Sequence, residues 1–205
     1  PCAVAVTAAL SLAGPVAAQD DEPRLDPSTR KDALRAIDLG LQWLKDKQRE
    51  DGRWSLEQFP AITAMVTWAY LRSPARSADE MPPHVQKGID YILSCVREDG
   101  GIYQDVDRPR GGGLRNYNTA ICAAALAATG DPKYDEIILN ARKFLIRNQH
   151  LVKDDYYGGW GYDAELDRPY ADMVNTTFAM HTLRYTEFVA INACEPARGG
   201  ANPEE

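Results

Sequence analysis

The sequence predicts an all-α fold made of three stacked helical hairpins with inner and outer helix layers. Two observations carry this. A motif recurs at Gly40, Gly88 and Ala141: a small residue, an aromatic three positions later (Trp43, Tyr91, Phe144), an aliphatic (Leu44, Ile92, Leu145), then Gln48, Val96 or Gln149. Each copy closes on a glycine turn, Gly52 with Trp54, Gly100 with Ile102, and Gly158 with Trp160. The starts lie 48 and 53 residues apart, a period at which one hairpin cannot bury its own apolar side and must stack on its neighbours. The second observation is that apolar residues between the turns recur at helical spacing, not alternately.

Helix 1A starts at the Pro27-Ser28-Thr29 cap and runs to about Gln48, with Leu34, Ile37, Leu41 and Leu44 on one face; Asp51-Gly52 ends it. Helix 1B spans Pro60 to about Arg72 on Ile62, Met65, Val66, Ala69 and Tyr70. Helix 2A follows Met81, opens on two prolines, and uses Val85, Ile89, Ile92 and Val96 to reach about Arg97. Helix 2B, about Asn118 to Thr129, is nearly all alanine and aliphatic, and a helix apolar all round belongs in an interior. The B helices are therefore placed inside and the more charged A helices outside. Asp131-Pro132 caps helix 3A, which ends near Gln149, and helix 3B runs from about Asp172 to Ala193 before Pro196. Thr63, Thr119 and Thr176, with Asn118 and Asn175 before the last two, mark the B-helix entries, where such residues satisfy free N–H groups. The hairpins thus cover about 28–75, 80–130 and 131–193, and residues 194–205 are expected to be a disordered tail.

Around these hairpins the composition is that of one globular domain, 44% hydrophobic and 26% charged over 205 residues. A net charge of -7 without a basic cluster speaks against nucleic acid or an anionic membrane as partner, since phosphate binding rests on Lys and Arg. The apolar run Val4 to Leu12, followed by Gly14-Pro15-Val16-Ala17-Ala18, reads as a signal peptide over 1–18 with cleavage after Ala18, too short to span a bilayer. Pro15 stands where a lipoprotein signal needs Cys, so soluble export, secreted or periplasmic, is expected. Residues 19–27 read as an acidic linker. A start at Pro1 without a basic n-region implies that the true beginning is missing. Once Cys2 leaves with the signal, Cys95, Cys122 and Cys194 remain, an odd set without paired spacing. Cys95 and Cys122 read as small core residues, with pairing in an oxidising compartment as the alternative.

The order small residue, aromatic, aliphatic, Gln, Gly, Trp resembles the QW repeat of the terpene cyclase and protein prenyltransferase superfamily. Gly40, Trp43, Leu44, Gln48, Gly52 and Trp54 match it in full; Ala141, Phe144, Leu145, Gln149, Gly158 and Trp160 match with a longer turn. The middle copy, with Gly88, Tyr91 and Gly100, departs at Val96 and Ile102. The resemblance spans about 28–188 and implies a partial α/α toroid of the squalene-hopene-cyclase type, in which Gln bridges to a neighbouring helix and Trp packs over the turn. These are structural roles, not catalytic ones. A full toroid of that kind holds about twice the hairpins read here, which implies a truncated longer protein or, second, self-association through the exposed inner face.

The resemblance also says which chemistry to look for. Cyclases of this kind use an Asp-x-Asp-Asp acid; Asp105-Val106-Asp107-Arg108 puts Arg in place of the third carboxylate, which lowers a neighbouring pKa instead of raising it. Prenyltransferases hold zinc on Asp, Cys and His, but no Asp-x-Cys occurs, and His84, His150 and His181 lack ligand spacing. The Gly-Cys-Gly-Glu-Gln thioester run of complement-type toroids is missing as well. No catalytic residue, metal or cofactor is therefore expected. The two later A-to-B loops resemble each other, Tyr103 leading to Asp107-Arg108-Pro109 and Tyr162 to Asp167-Arg168-Pro169. They make Tyr103, Asp105, Asp107, Asn118, Tyr162, Asp163 and Asn175 the candidate ligand rim. Asp154-Asp155 with Tyr156, Tyr157, Trp160 and Tyr162 reads as turn packing, with an aromatic-lined rim as the alternative. Two functions remain open: an exported, non-catalytic toroid that binds an apolar small molecule or a protein segment, and a fragment of an isoprenoid-processing enzyme whose catalytic motif lies in further repeats.

Overall fold

The computed structural model describes residues 26–74, 81–105, 114–162 and 170–194. The expected leader, Asp107, Asp163, the two Asp-Arg-Pro strings and the tail beyond Cys194 lie outside them. Seven α-helices follow one another: α1 (Pro27–Lys45), α2 (Pro60–Leu71), α3 (Pro83–Ser94), α4 (Arg115–Ala127), α5 (Asp135–Arg147), α6 (Met173–Tyr185) and α7 (Glu187–Cys194), with a 3-10 turn at Pro132–Tyr134 before α5. The fold is all-helical; among the described residues the only β pairing is one isolated bridge, Val96 with Ile102. No helix among these residues is long and apolar enough to cross a membrane.

Helices α2, α4 and α6 pack in a row, α4 in the middle; α3 lies against α2, α5 against α4, and α7 against α5. Composition explains the order. Every residue of α4 from Asn118 to Ala127 is buried, and its alanines let three neighbours approach closely. By contrast α1 buries no residue at all. The core joins Ile89, Ile92, Ile102, Ile121, Leu126 and Ile138, each at most 1% exposed, and burying a side chain of that size stabilises by about 1.5–3 kcal/mol.

The first and third hairpins turn on matching side-chain hydrogen bonds. Gln48 Nε2 donates to Gly52 O (2.8 Å) and to His84 O at the start of α3 (2.8 Å), tying the turn to that helix. The Trp54 indole N–H donates to Leu44 O (2.6 Å), and Trp160 repeats this with Leu145 O (2.7 Å). Gly52 and Gly100 have φ of +90° and +85°, a region that costs a side chain dearly. A Cβ on either would also strike the following hairpin's first helix, α3 at 2.3 Å from Lys87 O and α5 at 2.8 Å from Asn140 O. In the middle copy Val96 leaves the glutamine bridge unmade, and Arg147 Nη2 ties the turn to α5 instead by donating to Asp99 O (2.5 Å).

Three sequence readings are corrected. Asn118 and Thr119 lie inside the first turns of α4, which starts at Arg115, and do not precede it. Their threonine equivalents cap no helix: Thr63, Thr119 and Thr176 Oγ1 accept the backbone N–H of Trp54 (3.2 Å), Ile102 (2.9 Å) and Trp160 (3.0 Å). Helix 3B does not run to Ala193. Arg142 Nη1 from α5 donates to Leu183 O (2.6 Å) and Thr186 Oγ1 (2.7 Å), while Thr186 Oγ1 donates to Thr182 O (2.7 Å). These bonds satisfy the last carbonyls of α6 without glycine or proline, so α7 starts as a separate helix.

Where α3 meets the first hairpin, His84 sets a pH limit on stability. Its ring stands edge-on to Tyr70 (4.5 Å between centroids) and its Nε2 is buried without a hydrogen-bond partner. Burial first, and the nearby Lys45 charge second, hold its pKa below the usual value. The folded state therefore takes up this proton less readily than the unfolded chain, and the contribution is intact above about pH 6.5 and lost as pH falls through the folded pKa. The urea midpoint is expected to drop between about pH 7.5 and about pH 5.5, and His84→Phe to flatten that drop. An unchanged slope in the variant would remove His84 as the cause.

Candidate functional site

The N-terminal ends of α2, α4 and α6 share one rim, linked by side chains of α4's first turn. Asn118 Oδ1 accepts the Ala61 N–H of α2 (3.2 Å), and its Nδ2 donates to Gln58 O (3.3 Å). On the other side Asn116 donates to the turn before α6, through its backbone N–H to Tyr162 O (3.0 Å) and through Nδ2 to Gly161 O (2.7 Å). Leu114, at the N-cap of α4, has φ +48° and is the only non-glycine residue with positive φ among the described ones, a conformation that costs a leucine of order 1 kcal/mol or more.

Of the rim residues read from the sequence, Asn118 and Asn175 are buried. Asn175 sits over the α6 N-cap, its N–H and Nδ2 donating to Asp172 (2.8 and 2.6 Å). Its Oδ1, like that of Asn116, is buried without a partner. Tyr103 is 5% exposed: its ring lies under the Arg115 guanidinium (4.9 Å) and against Phe144 (5.9 Å). Its hydroxyl donates to Asp99 (2.8 Å). Burial and that bond push its pKa up to about 12, so it stays protonated at neutral pH. Asp105 is exposed and pairs with Arg115 (3.1 Å). Tyr162 faces Tyr117 (6.5 Å). The string after Asp154 divides: Trp160 enters the core while Tyr156 and Tyr157 stay exposed, and Asp154 pairs with His150 (2.9 Å).

Cys95 and Cys122 are not placed for nucleophilic work. Both are free and fully buried, and burial raises both thiol pKa values, which keeps them out of the reactive thiolate form. Among the described residues no group of three His, Cys, Asp or Glu side chains is arranged to hold a metal ion.

The row of α2, α4 and α6 carries an aromatic set that the sequence reading passed over. Trp68 of α2 contacts His181 (5.7 Å) and Tyr185 (5.4 Å) of α6, and His181 stacks on Tyr185 (6.0 Å, 10°). Tyr117 of α4 stands edge-on to Phe178 of α6 (5.5 Å). No family model, curated protein or solved structure matches this chain. The repeat itself therefore supplies the comparison. Counted from Thr63, Thr119 and Thr176, residues Trp68, Ala124 and His181 occupy one register position on α2, α4 and α6. Alanine in the middle leaves room for the rings of α2 and α6 to meet across α4. The indole N–H of Trp68 is buried without a partner there. That register was the available signal for Trp68, Ala124 and His181.

Proposed function

We propose that this chain is an exported, non-catalytic repeat protein, akin to the terpene cyclase and protein prenyltransferase superfamily through its QW motif. In this reading the inner helices begin a toroid and hold an apolar small molecule or partner segment against their aromatic side. The contact of Trp68 with His181 and Tyr185 across Ala124 carries the reading. Rings that meet over a small residue pull the outer members of a helix row toward each other, and aromatic faces with a few polar atoms among them, such as the unpartnered Trp68 indole N–H, suit largely apolar ligands. The buried thiols and the protonated Tyr103 agree with binding rather than catalysis.

The test uses 1-anilinonaphthalene-8-sulfonate and farnesol as probes. Dye emission is expected to rise saturably with protein, to fall on adding farnesol, and to weaken several-fold in Trp68→Ala. Circular dichroism shows whether that variant stays folded, and His181→Ala serves if it does not. An absent or unsaturable dye signal, or one indifferent to both substitutions, overturns the binding reading.

A further inference from the structure

The two internal hairpin junctions are built alike, and each end of the described chain presents one half of such a junction. At the first junction the Gly52 turn abuts Lys87 O, Gln48 donates to His84 O (2.8 Å), and Gly88 faces Thr67 Oγ1 and Trp54, where a Cβ would lie 2.6 and 2.9 Å away. The aromatic of the incoming helix, Tyr91, is 8% exposed and donates to Glu57 O (2.7 Å). At the second, the Gly100 turn abuts Asn140 O and Phe144, 3% exposed, lies against Gly101.

The same positions stand open at the two ends. On α1 a Cβ at Gly40 would meet nothing within 4 Å, and Trp43 and Leu39 are 61% and 62% exposed. At the other end a Cβ at Gly158 also meets nothing within 4 Å. Gln149 there makes the bond to its own turn, Gly158 O (2.7 Å), and among the described residues it has no equivalent of the second bond that Gln48 makes to α3. Met173 and Met180 on the free side of α6 are 87% and 60% exposed. The two open halves are complementary: α1 carries the incoming-helix half of a junction and the Gly158 turn carries the turn half, so a second copy supplies what each end lacks.

We propose that a second copy of this chain docks its α1 on the third glycine turn of the first, continuing the hairpin junction head to tail between molecules. In that contact the Gly158 turn lies against the Leu39 carbonyl, as Gly52 lies against that of Lys87. The second N–H of Gln149 reaches Ala36 O, as Gln48 reaches His84 O, and Trp43 is covered against Gly159 as Phe144 is against Gly101. The contact is heterologous: different surfaces meet, so it closes into a ring or grows along an axis. It rests on the hairpin register and does not require an apolar ligand.

The experiment follows the full chain by sedimentation velocity and by cysteine cross-linking. Self-association is expected in the micromolar range, weakened about tenfold or more by Trp43→Glu or Leu39→Glu, with helix content unchanged because both side chains are exposed. In a background with Cys2→Ser and Cys194→Ser, mixing Leu39→Cys protein with Gly158→Cys protein is expected to give a disulfide-linked pair, while neither gives one alone. Gln149→Cys with Ala36→Cys is the second pair, free of strain at a left-handed glycine. A chain that stays monomeric at high concentration overturns the proposal. So does a dimer that forms neither mixed cross-link or is indifferent to Trp43→Glu, which would place the contact on another face.

Discussion

Replacing Trp160 with alanine is expected to destabilise the protein by about 4 kcal/mol, lowering its melting temperature by about 10 °C. The residue is 5% exposed and packs among Tyr103, Ala120, Phe144, Leu145 and Ala179, a cluster drawn from the second turn, α4, α5 and α6. Truncation leaves a cavity where four segments meet, and it removes the indole donor to Leu145 O (2.7 Å) at the end of α5. Trp43→Ala is the control, because a side chain that is 61% exposed is expected to change stability by about 0.5 kcal/mol or less at low protein concentration. Equal melting curves for the two variants would show that the third turn is not held by its tryptophan.

A second large effect is expected from Gly52→Ala, about 3 kcal/mol. Part is the left-handed backbone at φ +90°, of order 1 kcal/mol for a residue with a Cβ. The larger part is the collision of that Cβ with the Lys87 carbonyl oxygen at 2.3 Å and carbonyl carbon at 2.7 Å. Both are helix backbone and yield only by moving α3. Gly158→Ala separates the two terms: its φ is +89° but nothing lies within 4 Å, so about 1 kcal/mol is expected in the monomer. Denaturant unfolding of both variants decides it, and equal losses would mean that the turn does not bear on α3.

The helices were legible because their signals are local. Pro27, the Pro82-Pro83 pair, Pro132 and the glycine turns placed α1, α3 and α5 to within a few residues, and the alanine-rich stretch marked α4 as interior. The end of α6 was not legible, since Arg142, forty-one residues before Leu183, makes the bond there. Asn118 looked like an entry cap for its own helix, yet it serves α2, fifty-seven residues earlier. The rim suffered likewise: Tyr103 reads as an exposed loop aromatic until Arg115 and Phe144 enclose it. The aromatic side of the inner row was half legible, because register aligns Trp68 with His181 but only the packing of α2, α4 and α6 brings them into contact.

The threonine that receives each turn's N–H stands nine, seventeen and sixteen residues after its partner and is kept in all three hairpins. The glutamine and the tryptophan are both replaced in the second. Bulky landmarks can thus drift away while a small hydroxyl preserves the shape, provided the intervening loop absorbs the change in length. Lineages of such hairpins would diverge in their conspicuous letters first, and a census that counts only tryptophans and glutamines would miss members whose geometry has not changed.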